Sequence, residues 1–94
     1  MINTHFSNLF ITTKKLTLLY IENHDETIHE NLKLFHTYFN KIIIAKNGQE
    51  GIDKFKTHDI HIIITEINLP QVNGIELLTQ IKNLDKDIIT IILS

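Results

Sequence analysis

The chain has 94 residues, 43% of them hydrophobic, with nine basic and eleven acidic side chains and a formal charge of -2. A chain of this size supports one core, burying roughly 65% of its unfolded surface, and its balanced charge supplies no basic field for a nucleic-acid backbone. Without cysteine it forms no disulfide or thiolate site, and no apolar run approaches the ~20 residues of a membrane span, so a soluble, cytoplasmic domain is expected, with neither nucleic acid nor membrane as partner.

Residues 1–15 stand apart from the rhythm of the rest. Phe6, Leu9 and Phe10 fall at i, i+3 and i+4, so this segment is either a short helical arm docking on the domain or a partly ordered leader. The domain proper is expected over residues 16–94. Residues 16–21, L-T-L-L-Y-I, read as a buried strand ending at Glu22 and Asn23. Asn23 or Asp25 can cap the next helix, where Ile28, Leu32, Phe35 and Phe39 share a face and Asn40 makes the stop. Lys41–Ala45 is the second strand, and Asn47-Gly48 turns the chain into a second helix carrying Ile52 and Phe55. A third strand is expected over residues 60–66. Gly74 then opens a third helix with Ile75, Leu78 and Ile81 on one face, and residues 88–93 form a fourth strand finishing at Ser94. Strands made almost wholly of isoleucine predict burial on both faces. Their alternation with helices predicts parallel pairing through right-handed crossovers, an α/β, doubly wound parallel sheet.

Residues 62–74, I-I-I-T-E-I-N-L-P-Q-V-N-G, place one carboxylate, Glu66, at the end of a buried strand, and Asn68, Pro70, Asn73 and Gly74 turn the chain just past it. In open parallel sheets, ligands and chemistry gather where strands stop and helices begin. A strand-end acid at Glu22, the A-K-N-G-Q-E-G segment over 45–51, the Glu66 motif and the Ser94 hydroxyl follow one another in fixed order and spacing. Together they resemble the CheY-like receiver domain of two-component response regulators, over residues 16–94.

The resemblance implies a flavodoxin-like sheet of order 2-1-3-4-5, of which this sequence supplies 2-1-3-4; the fifth strand, with the lysine that ends it, is missing from the chain. It also implies an acceptor Asp phosphorylated by a histidine kinase, two acids that help hold Mg²⁺, and a hydroxyl that senses the phosphoryl group. Carried over by position, Glu66 falls on the phosphoacceptor, Glu22 and Asn23 on the acidic pocket, Asn68 on the metal-contacting carbonyl and Ser94 on the switch hydroxyl. Glu22, Asn23, Glu66 and Asn68 thus form the implied metal set.

The departures weaken that set. Glutamate at 22 and 66 is one methylene longer than aspartate, Asn23 is neutral, and catalysis tolerates a misplacement of only about 0.5 Å. With fewer carboxylates, Mg²⁺ should bind weakly or be lost. The chain is therefore expected to be no enzyme but a phosphorylation-independent pseudo-receiver, acting by protein–protein contact with a histidine kinase or an output domain. A working phosphoacceptor is the alternative. A small-ligand binder is disfavoured, since no glycine-rich phosphate loop follows the first strand. The bare fourth strand predicts self-association. Tyr20 and Thr65 read as packing residues and His24 as a surface residue.

Overall fold

Backbone register in this protein is set by the first strand, which finds a parallel partner on each side. The computed structural model describes residues 13–93; the Phe6, Leu9 and Phe10 arm and Ser94 lie outside them. Strands β1 (Thr17–Ile21), β2 (Lys41–Ala45), β3 (Ile62–Glu66) and β4 (Ile89–Leu93) alternate with helices α1 (Asp25–Tyr38), α2 (Gly48–Thr57) and α3 (Gly74–Leu84). The strands form one parallel sheet in the order β2-β1-β3-β4, with Leu18 opposite Ile42 on one side and Ile62 on the other.

Successive strand residues point to opposite faces, and the core divides accordingly. Leu18, Tyr20, Ile62 and Ile64 pack with Ile28 and Phe35 of α1, whereas Leu19, Ile21 and Ile63 pack with Ile52 of α2 and with Leu77, Leu78 and Ile81 of α3. All five residues of β1 are buried.

Three strands begin later than the sequence predicts. Leu16, Ile60 and Ile88 are apolar, and the latter two are buried, but they pack in entry turns and not in the ladder. Helix α1 stops at Tyr38 and not at Asn40; Phe39 is buried and its N–H donates to the Phe35 carbonyl. In α3 the buried stripe is Gly74, Leu77, Leu78 and Ile81, spaced i, i+3, i+4 and i+7, which leaves Ile75 exposed and corrects its assignment to the inner face. Burial on both faces holds for β1 and β3. It fails at the edges: β2 is half-buried, and β4 exposes Ile89 (55%), Ile91 (46%) and Ile92 (41%).

Candidate functional site

The β1–β3 register decides which side chains meet at the carboxyl end of the sheet. Ile21 pairs with Thr65, so the next position on each chain sets Glu22 beside Glu66. Glu22 is buried (2% exposed) and Glu66 half-buried.

A buried carboxylate needs donors, and Glu22 finds them in its own chain. Its Oε2 accepts from the backbone N–H of Asn23 (2.9 Å) and of His24 (3.3 Å), with the His24 Nδ1 at 3.4 Å. The carboxylate thus curls back over the β1–α1 turn. Neither Asn23 nor Asp25 caps α1: the N-cap is His24, which makes no side-chain cap bond. Asp25 in the first turn instead pairs with Lys46 at 2.6 Å, tying α1 to the segment ahead of α2. The hydrogen bond and charge of Asp25 hold the Lys46 ammonium above its usual pKa.

On the other side, the loop after Glu66 is closely fitted. The Thr65 hydroxyl donates to the Glu66 carbonyl (3.0 Å), so Thr65 does more than pack. The Gly74 N–H donates to the Ile67 carbonyl at 2.9 Å, and a Cβ on Gly74 would lie 2.6 Å from the Glu66 carbonyl oxygen. Gln71 holds a left-handed backbone (φ 69°), and the Asn73 side chain caps α3 by accepting from the Glu76 N–H (2.9 Å). Asn68 is exposed on this loop, as is Asn23 across the crevice. Ser94, which follows the Leu93 that pairs with Glu66, is outside the described residues.

The donor set fits Mg²⁺ poorly. Mg²⁺ demands octahedral oxygen at about 2.0 to 2.1 Å, and of the two carboxylates here one has its Oε2 engaged by two amides. Among the described residues no three His, Cys, Asp or Glu side chains cluster as metal ligands. His61 serves the fold elsewhere, its Nδ1 accepting from the Thr17 N–H at 3.0 Å.

One polar group escaped the sequence reading. Tyr20 is fully buried on the α1 face, its hydroxyl accepts from Asn31 Nδ2 at 2.8 Å, and its ring meets Phe35 edge-on at 4.9 Å. Burial pushes the phenol pKa up, the Asn31 hydrogen bond pulls it back, and the charges of Glu22 and Glu66 push it up further. The available signal was Asn31 itself, a polar residue midway between Ile28 and Phe35 on the apolar face of α1.

The family model of the response regulator receiver domain matches residues 18–94. The transcriptional regulatory protein HptR of Staphylococcus aureus is 38% identical over 52 residues, 55% of this chain and 21% of that protein. The N-terminal domain of an uncharacterised Wolinella succinogenes protein superposes with a TM-score of 0.77 at 28% identity, over 84% of this chain and 64% of the other. A chain of the CheX–CheY–BeF3–Mg²⁺ complex of Borrelia burgdorferi gives 0.76 at 29% identity, over 82% and 60%. The chain thus spans about a fifth of the curated relative and under two thirds of each of these structures.

Proposed function

Since the chain belongs to the response regulator receiver domain family, we propose that its residues 16–94 act in two-component signalling as a phosphorylation-independent pseudo-receiver. The observation that carries this reading is the neutral, exposed Asn23 at the second acidic position, beside a Glu22 whose Oε2 is turned onto the Asn23 and His24 amides. A site so depleted holds Mg²⁺ weakly through Glu22, Asn23, Glu66 and the Asn68 position, and a phosphoryl group at Glu66 has little to neutralise it. The longer Glu66 carboxylate imitates part of a phosphorylated aspartate, offering one charge and two oxygens where the phosphoryl group has about -1.5 to -2 and three. Ser94 takes the switch-hydroxyl position. The domain works by binding and not by turnover, in the cytoplasm, with a histidine kinase or an output domain as partner; among the described residues no helix is long and apolar enough to cross a membrane.

Incubation with acetyl phosphate and Mg²⁺ should leave the intact mass unchanged. A near-stoichiometric gain that Glu66→Gln abolishes would establish the working phosphoacceptor instead.

For the 94-residue chain taken by itself, the partner at the sheet edge is a second copy of the chain. Among the described residues β4 pairs only with β3, and its isoleucines at 89, 91 and 92 are exposed. Two such edges join as an isologous pair about a two-fold axis, which satisfies both rows of backbone groups. Light scattering should give a dimer or larger at micromolar concentration, shifted toward monomer by Ile91→Lys. A clean monomer of the unaltered chain would remove this proposal.

A further inference from the structure

We propose that Tyr20 and Asn31 transmit the charge state of the strand-end crevice to helix α1. The inference goes beyond the pseudo-receiver reading, because it requires only that the charge at Glu66 can change.

Tyr20 spans the distance between the two. Its backbone lies in β1 two residues before Glu22, and its ring packs edge-on against Phe35 of α1. The hydroxyl accepts from Asn31 Nδ2 at 2.8 Å. Tyr20 pairs with Ile64 of β3, so Glu22 and Glu66, each two residues further along its strand, share the sheet face of Tyr20, and the charges of both bear on its hydroxyl. Negative charge beside a phenol raises the electron density on its oxygen and makes that oxygen a better acceptor. Negative charge in the crevice therefore strengthens the Asn31 to Tyr20 bond, and neutralising it weakens that bond. Asn31 sits near the middle of α1, flanked on the same face by the buried Ile28 and Phe35, so the change is felt where the helix meets the sheet. Tyr20 itself is buried, so the crevice charges act on it with less screening than they would on the surface.

The test is amide exchange and Asn side-chain resonances in ¹⁵N-labelled full-length chain, comparing Glu66 with Glu66→Gln in two backgrounds. In the parent, Glu66→Gln should move the Asn31 side-chain amide more than that of exposed Asn40, and should speed exchange in the middle of α1 by about twofold or more, as expected for part of one hydrogen bond. With Tyr20→Phe, which keeps the ring against Phe35, both responses should vanish. An Asn31 resonance that stays put in the parent, or that moves equally in both backgrounds, overturns the proposal. Should Tyr20→Phe fail to fold, Asn31→Ala on the half-buried helix face gives the second arm: α1 exchange then becomes insensitive to Glu66→Gln if the link is real and stays sensitive if it is not.

Discussion

Gly74→Ala should be the most damaging methyl addition at any of the three helical glycines. The new Cβ would stand 2.6 Å from the Glu66 carbonyl oxygen and 3.0 Å from the Ile67 Cα, and both obstacles are backbone. Neither can rotate away. Overpacking costs typically 1–3 kcal/mol, and the upper end, about 3 kcal/mol, applies where main chain must shift. From a domain whose total stability is of order 5–10 kcal/mol, that should lower the melting temperature by roughly 12–24 °C. Gly51→Ala is the control. Its Cβ would lie 2.7 Å from Ile21 Cδ1, the far end of a side chain that can change rotamer, and alanine's better helix propensity offsets about 1 kcal/mol. Thermal melts followed by circular dichroism should rank Gly74→Ala well below Gly51→Ala. Equal melting temperatures would mean that the close approach of α3 to the Glu66 strand end does not fix the loop.

The paired change Asn23→Asp with Glu66→Asp should tighten Mg²⁺ binding tenfold or more. It adds a third carboxylate to the crevice and shortens the reach of the one on β3, which suits a small oxygen-seeking ion better than the present set. Tenfold corresponds to about 1.4 kcal/mol, a modest demand for one additional charge close to a divalent ion. With no tryptophan in the chain and Tyr20 under the influence of both carboxylates, tyrosine fluorescence should report the titration, with calorimetry as an independent check. Indistinguishable affinities in parent and double variant would show that Asn23 and Glu66 do not share a metal-binding crevice.

The architecture was legible because each crossover carries its own punctuation: a run of isoleucine, a turn residue, then an apolar helical stripe. The order β2-β1-β3-β4 followed from the likeness of the Glu66 motif to a known family and not from the pattern itself, since periodicity says that strands pair and not which ones. The meeting of Glu22 and Glu66 at one sheet end was readable for the same reason. What Glu22 does there was not: a carboxylate that curls back onto Asn23 and His24 looks, in sequence, like any strand-end acid. The Tyr20 link was hidden because a tyrosine among leucines in a strand matches simple packing, and only its distant partner Asn31 shows that the hydroxyl is used. Ile75 was misplaced because a spacing of three and three drifts around a helix. The burial of Ile88 against the exposure of Ile89 depends on the strand's position at the sheet edge, which composition does not encode.

Placing β1 between β2 and β3 also governs how the chain can be assembled. The first of the described strands to be synthesised is the one that ends up most enclosed, yet its contact from Thr17 to His61 spans 44 residues. Until β3 has been synthesised, Leu18, Leu19, Tyr20 and Ile21 have sheet on one side at most. Parallel pairing over such separations is entropically slow, and the waiting strand is adhesive in the meantime. The residue that joins crevice to helix, Tyr20, therefore belongs to the segment that must be kept from wrong partners longest.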